Sequence, residues 1–134
     1  MPCNAVYIVE KIGIDKEFYL SLTLNRKAAT ATFIYSKEGG MNIEDVAHSK
    51  PEAVHKLAID PLKGLQESDL KDVAKNLGIK DKEEQVKDLF KKIYDCFWKN
   101  DCDMIEINPL VVTDKGVVMA ADSKVTIDDN ALFR

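Results

Sequence analysis

One short stretch near the N-terminus constrains the fold more than any other part of the sequence. Between Glu17 and Leu24 apolar and polar residues alternate, with Phe18, Leu20 and Leu22 on the apolar side. A period of two is typical of a β-strand that buries one face and leaves the other open. The chain therefore has to build a sheet with at least one covered face.

Two further segments predict neighbouring strands. Val6–Glu10 reads as a strand, and Ala29–Ser36 reads as an antiparallel partner of the alternating segment, joined to it through Asn25–Lys27. The first third of the chain is therefore predicted to be a sheet of about three strands.

The middle of the chain is predicted to be helical. Gly39–Gly40 breaks the first sheet, and the two histidines, His48 and His55, fall in the polar connecting stretch that follows. Short helices are predicted after the N-cap Asn42, after Ser49 with Pro51 in the first turn, and over Leu70–Leu77 with Gly78 as the stop. The longest helix is predicted after a capping box of Asp81 and Glu84, with an apolar stripe that reaches Phe97.

Strand-like sequence returns in the last third. Met104–Val112 and Val117–Val125 flank the connection Thr113–Gly116, which is typical of a hairpin. The order of strands, helices and strands predicts an α+β domain, an antiparallel sheet with helices packed on one face.

Composition excludes several classes of protein. The 134 residues carry a net charge of −4, which argues against a general nucleic-acid binder. No apolar run reaches the roughly 18–20 residues of a membrane span, so no membrane is expected as a partner. The three cysteines form neither a disulfide framework nor a zinc pattern, which favours free thiols in a reducing compartment.

The last hairpin carries a candidate metal site. Glu106 and Asn108 are two residues apart, so both side chains lie on one face of their strand. With a three-residue loop, Asn108 faces Asp122 and Glu106 faces Lys124, and the first pair offers the oxygen ligands that Mg²⁺ prefers. A solvated polar face is the alternative, and a two-residue loop would put Asn108 and Asp122 on opposite faces.

Two glutamates flank the turn between the first predicted strands. Glu10 ends one strand and Glu17 begins the next, where a carboxylate can accept ribose hydroxyls or a base amino group. Paired glutamates around a turn are commonly just solvated, so the pattern alone is weak. No phosphate-binding glycine motif occurs in the chain, and Gly39–Gly40 is read as a turn.

Motifs along nearly the whole chain resemble the β subunits of succinate–CoA ligases. They occur in the order found in that family and at compatible spacing: Val9-Glu10, Lys16–Leu20, Glu38–Ala47, Ile59–Gly64, Met104–Val112 and Asp129–Arg134. The resemblance implies that residues 1–134 form the second subdomain of an ATP-grasp nucleotide-binding domain.

The resemblance also implies roles for individual residues. Glu10 and Gly13 would lie near the base, and Glu17 near the ribose, of ATP or GTP. Asn108 and Asp122 would bind Mg²⁺, which agrees with the pair inferred from the hairpin. Glu106 would help position a phosphohistidine of the partner α subunit.

The implied reaction forms succinyl-CoA from succinate and CoA, reversibly coupled to ATP or GTP, in the tricarboxylic acid cycle. The resemblance implies that the protein lies in the mitochondrial matrix if it is eukaryotic, or in the cytoplasm if it is bacterial. Related ATP-grasp ligases, namely malate–CoA ligase and ATP-citrate lyase, share this domain, so they remain alternative identities for the chain. So does a non-catalytic interaction module derived from the fold.

Two elements of the family pattern have no counterpart in this sequence. They are the earlier ATP-grasp half, which holds the phosphates, and a later flavodoxin-like domain, which contributes to the CoA ligase chemistry. The expectation is therefore a fragment that is inactive by itself and that can self-associate through surface its other half would cover.

Overall fold

The alternating segment forms the central strand of the molecule. The structure, a computed structural model, describes residues 5–133. Strand β1 (Ile14–Asn25) pairs on one edge with β2 (Thr30–Ser36) and on the other with β4 (Cys102–Thr113). The sheet is antiparallel. Its outer strands are β3 (Val54–Ile59) on one side and β5 (Val118–Ala120) with β6 (Ser123–Ile127) on the other.

Between β2 and β4 the chain forms helices, as predicted, together with the unpredicted strand β3, and the predicted strand Val117–Val125 is divided into β5 and β6. Short 3₁₀ turns at Pro51–Ala53, Glu67–Leu70, Lys80–Lys82 and Asp129–Ala131 link them. The regular elements are α1 (Ile43–Ser49), β3 (Val54–Ile59), α2 (Val73–Asn76), α3 (Glu83–Lys99), β5 (Val118–Ala120) and β6 (Ser123–Ile127).

The apolar face of the sheet is covered by α2 and α3. The apolar side chains of β1 are buried together with those of β2 and β4 and with the stripe of α3. Phe90 of α3 is buried against Phe33 of β2, with ring centroids 4.6 Å apart. Each fully buried aromatic or aliphatic side chain contributes about 1.5–3 kcal/mol. The predicted α+β class, with helices on an antiparallel sheet, is confirmed.

The predicted strand Val6–Glu10 is wrong. This segment lies outside the sheet, and its apolar side chains are exposed, Tyr7 at 93%. The segment leads into β1, and it cannot pair beside that strand because both edges of β1 are taken by β2 and β4.

The helical reading of the stretch after Pro51 is wrong as well. Only Pro51–Ala53 forms a helical turn, and β3 follows at once and pairs with β2 from Ala31↔Ile59 to Ser36↔Val54. His55 therefore lies in a strand and not in a connection, where its ring stacks on Tyr35 at 5.2 Å.

The start of α3 also differs from the prediction. Asp81 lies in a 3₁₀ turn, and no side chain caps the first turn of α3. A capping box forms instead at Gln66, whose backbone N–H donates to Asp69 Oδ2 at 2.8 Å. Among residues 5–133, no helix is long and apolar enough to cross a bilayer; the longest, α3, has 17 residues and carries a lysine-rich face.

Candidate functional site

The register of the last hairpin decides which side chains share a face. Thr113 N–H donates to Val117 O at 2.9 Å, and Gly116 adopts φ +75° in the loop between them. The loop thus has the three residues that were predicted. Leu110↔Ala120 and Ile107↔Ser123 pair in one register, which places Asn108 opposite Asp122.

The carboxamide of Asn108 is held by the turn that follows β2. Its Oδ1 accepts a hydrogen bond from Gly40 N–H at 2.9 Å, and its Nδ2 donates to Met41 O at 3.1 Å. These two bonds fix which end of the amide carries the oxygen. An amide oxygen accepts two partners, so Oδ1 retains one lone pair for a ligand.

The two glycines of this turn are required by its close approach to β1. A Cβ on Gly39 would lie 2.3 Å from Phe18 N, and Gly40 adopts φ +68°. A Cβ on Gly40 would lie 2.8 Å from Glu17 Oε2. The turn therefore stands between the Glu17 carboxylate and the Asn108 amide. The sequence indicated a turn here but gave no sign that it contacts both candidate residues.

Asp122 completes the oxygen pair. It is exposed, and its Oδ1 accepts a hydrogen bond from Ser123 N–H at 2.8 Å, which leaves the other oxygen for a ligand. The donor set of one amide and one carboxylate oxygen fits a hard cation such as Mg²⁺. Residues 5–133 contain no group of three or more His, Cys, Asp or Glu side chains that could hold a metal. Such a site therefore depends on waters or phosphate oxygens for its other ligands.

Glu106 lies farther along β4 on the same face. Its Oε2 accepts a hydrogen bond from Tyr19 Oη at 2.9 Å. Burial raises the pKa of Tyr19 to about 12, the Ser21 hydrogen bond opposes the rise, and the Glu106 charge adds to it. Lys124 pairs with Glu106 in the strand register. The described part of the chain shows no ion pair between them. Sequence reasoning missed Tyr19, whose only signal was its place on the polar side of β1.

Glu10 and Gly13 line a cavity beside the hairpin. It has a volume of about 350 Å³ and is formed by residues 10–13 together with Thr113–Lys115, Val117 and Met119. Gly13 O accepts a hydrogen bond from Asp114 N–H at 3.0 Å, and a Cβ on Gly13 would lie 2.1 Å from Asp114 Oδ2. Gly13 thus lets the N-terminal segment lie directly on the hairpin loop.

The candidate residues follow one another along β4. Thr113 borders the cavity, Val111 pairs with Glu17, Asn108 meets the glycine turn, and Glu106 meets Tyr19. At about 3.4 Å per residue, the seven steps from Thr113 to Glu106 extend roughly 24 Å. A bulge between Phe18 and Leu20 in the β1–β4 pairing keeps Leu110 and Ile107 in the core while Val111 and Asn108 face the site.

Comparison with known proteins identifies the family. Residues 1–112 match the ATP-grasp domain model. The chain belongs to the ATP-grasp family. It is 42% identical to the β subunit of ADP-forming succinate–CoA ligase from Rickettsia massiliae, over 98% of this chain and 34% of the relative. The corresponding subunit from Burkholderia thailandensis is also 42% identical over the same shares. The chain thus spans about a third of the length of these relatives.

Solved structures agree on the fold. The ATP citrate lyase of Methanothrix soehngenii, in complex with citrate and coenzyme A, matches with a TM-score of 0.66 and 20% identity. The match covers 90% of this chain and 26% of that protein. At this identity the likeness supports the ATP-grasp fold alone.

The ATP-grasp match covers most of the candidate residues. Glu10, Gly13, Glu17, Glu106 and Asn108 all lie within residues 1–112, and Asp122 lies beyond them. The position of Asp122 opposite Asn108 therefore depends on the hairpin register. The sequence resemblance to succinate–CoA ligase β subunits is confirmed by the relatives.

Proposed function

We propose that this chain is the nucleotide- and Mg²⁺-binding part of a succinate–CoA ligase β subunit. The whole enzyme would form succinyl-CoA reversibly from succinate and CoA, coupled to a nucleoside triphosphate. One observation supports this most directly: along β4 the cavity, Glu17, the Asn108–Asp122 pair and Glu106 follow the order of base, ribose, metal-bound phosphates and phosphoryl acceptor. The ADP-forming names of the relatives favour ATP over GTP.

The cavity end would bind the nucleoside. Glu10 would accept a base amino group, and the backbone of Gly13, which lies on the hairpin loop, would contact the base edge. Glu17 would accept the ribose hydroxyls, since an ionised carboxylate takes several O–H donors at once. Its position beside Gly40 places it between the cavity and Asn108.

The middle of the row would hold Mg²⁺. Asn108 would offer Oδ1, kept in place by Gly40 and Met41, and Asp122 would offer its free carboxylate oxygen. A bound Mg²⁺ would neutralise phosphate charge as it develops during transfer. The protein's part is to present these two oxygens already oriented, so that little ordering is left for the binding step.

Glu106 would act at the far end of the row. The family resemblance assigns it to a histidine of a partner α subunit, which carries the phosphoryl group between succinyl phosphate and the nucleotide. A carboxylate that accepts the N–H of one ring nitrogen keeps the other nitrogen available as the nucleophile. The order of contacts along β4 supports this role, because Glu106 lies on the side of the Asn108–Asp122 pair away from the cavity proposed for the nucleoside.

Titration of Mg²⁺–ADP into the protein tests the nucleotide site. We expect Asp122→Ala to weaken binding at least 10-fold, because it removes one of two protein ligands to the metal. Asp129→Ala is the matched control, since Asp129 is an exposed carboxylate in the 3₁₀ turn after β6. Equal affinities of the two variants would contradict the metal assignment. The same titration of the complete β subunit decides between the two interpretations, and no binding there would favour the interaction module.

The acid substrate and the compartment are parts of the same proposal. Succinate is supported by the names of the relatives, whereas citrate is named only with structures that share the fold. Assays of the complete enzyme with succinate, malate and citrate separate these substrates. A reducing compartment, the bacterial cytoplasm or the mitochondrial matrix, fits the free thiols of Cys96 and Cys102.

A further inference from the structure

We propose that Tyr19 is a positioning residue for Glu106, holding one carboxylate oxygen so that the other faces the incoming phosphoryl acceptor. The inference rests on the role proposed above for Glu106. Tyr19 would hold Oε2 of Glu106, and Oε1 would face the acceptor.

The position of the phenol is fixed by the sheet. Tyr19 lies in β1 between Phe18 and Leu20, whose side chains are buried in the core on the opposite face. The Tyr19 side chain is only 3% exposed although it lies on the side of the sheet away from α3. Its Oη reaches Glu106 Oε2 at 2.9 Å across the β1–β4 pairing. A ring packed this closely has little freedom to move away from the carboxylate.

The direction of this hydrogen bond is also fixed. Burial raises the pKa of Tyr19 to about 12, so the phenol keeps its proton throughout the physiological range. Ser21 is equally buried, lies opposite Glu106 in the register and shares the face of β1 with Tyr19. The phenol therefore donates and the carboxylate accepts at every pH at which the enzyme would work.

The bond leaves Glu106 with one oxygen for a ligand. Oε2 is taken by Tyr19, and the described residues give Oε1 no hydrogen bond. Lys124 pairs with Glu106 in the register, yet no ion pair forms between them in the described part of the chain. A neutral phenol orients the carboxylate and leaves its negative charge intact. A lysine in the same place would neutralise that charge. The preserved charge suits an acceptor that brings an N–H group, such as a histidine imidazole.

The test uses the complete β subunit assembled with its partner subunit. We expect Tyr19→Phe to lower kcat for ATP-dependent succinyl-CoA formation about 10- to 100-fold, because Glu106 loses its fixed orientation. The KM for Mg²⁺–ATP stays unchanged, because Glu10, Glu17, Asn108 and Asp122 are untouched. Tyr94→Phe is the matched control and leaves both constants unchanged, since Tyr94 lies on α3 against Trp98.

Glu106→Gln separates this inference from the proposed function. If Glu106→Gln has no effect on kcat, the proposed role of Glu106 is wrong. If Glu106→Gln slows the enzyme and Tyr19→Phe does not, only the inference is wrong. The double variant is expected to be no slower than Glu106→Gln alone, because Tyr19 acts through Glu106. Additive losses, or a change in KM equal to that in kcat, would show that Tyr19 only stabilises the fold.

Discussion

Ionisation of Tyr19 is expected to destabilise the folded protein at alkaline pH. Its folded pKa of about 12 lies above the ordinary 10.0, so the folded state favours the protonated phenol. The stabilisation from this group is complete below about pH 10 and is lost as pH rises towards 12. We expect the thermal midpoint of the chain to fall over this range, and to fall less steeply in Tyr19→Phe.

Tyr35 provides the comparison for this experiment. Burial also raises its pKa, while the hydrogen bond from Asn76 lowers it. Tyr35→Phe should therefore also make the fall of the thermal midpoint above about pH 10 less steep, and the double variant should make it less steep still. Identical slopes for Tyr19→Phe and the unaltered chain would show that the Tyr19 phenol ionises as freely in the fold as in water.

Substitution by alanine is expected to lower the free energy of unfolding by different amounts at Gly39 and Gly78. A Cβ at Gly39 would meet backbone atoms of Phe18 at 2.3 Å, so β1 or the turn has to shift. A Cβ at Gly78 meets only the end of Lys37 at 3.5 Å, and the cost there comes from φ +72°. We expect about 1 kcal/mol for Gly78→Ala and about 2–3 kcal/mol for Gly39→Ala in urea unfolding. Equal losses would mean that the turn does not pack on β1.

The sequence predicted the register of the last hairpin, but it did not predict the long-range contacts of the candidate residues. The Asn108–Asp122 pair could be predicted because a short hairpin loop sets the register of its own strands. The bonds Tyr19–Glu106 and Gly40–Asn108 join residues 87 and 68 positions apart. Contacts at that separation depend on how distant strands assemble, which local pattern does not encode.

At the scale of elements, Phe90 is the residue of α3 that packs against the aromatic side chains of β2. Phe90 is fully buried and packs against Phe33 at 4.6 Å and Tyr35 at 6.0 Å. We expect Phe90→Ala to cost about 3–5 kcal/mol through lost burial and the cavity it leaves. Lys92→Ala, which removes an exposed ion pair with Asp88, should change the unfolding free energy by less than about 0.5 kcal/mol. Comparable losses in urea unfolding would contradict this packing.

Elements with strong periodicity were predicted, and those that depend on a neighbour were not. The alternation of β1 and the stripe of α3 each specify a buried face by themselves. β3 follows a proline turn and is stabilised by pairing with β2, which its sequence does not announce. Val6–Glu10 has the composition of a strand, yet it pairs with none of the strands of the described residues.

At the scale of the whole molecule, the exposed apolar residues stand out. Val6–Val9 are exposed, as are Val125 and Ile127 on the outer strand β6 and Leu132 and Phe133 beyond it. Apolar surface of this kind is typical of interaction sites. The expectation that the isolated chain self-associates therefore stays a prediction, and sedimentation velocity over a range of concentrations measures it.

At this scale we also expect the chain to bind the nucleotide without catalysing the reaction. The proposed contacts to base, ribose, metal and acceptor all lie in a chain that spans 34% of the length of its relatives. The resemblance to succinate–CoA ligase β subunits implies a lysine and a glycine-rich loop that hold the phosphates, and no such motif occurs in this sequence. Missing contacts lower the affinity for the nucleotide but do not abolish its binding. Phosphoryl transfer, in contrast, needs the attacking and leaving oxygens held in line.

We therefore expect the purified 134-residue chain to bind Mg²⁺–ADP weakly, with Asp122→Ala weaker still, and to catalyse no succinate- and CoA-dependent nucleotide turnover. The complete β subunit, assembled with its partner, is the positive control in the same coupled assay. Turnover by the chain alone would show that the phosphates are held by residues within it. The residue to examine first would then be Lys124, which faces the site beside Glu106.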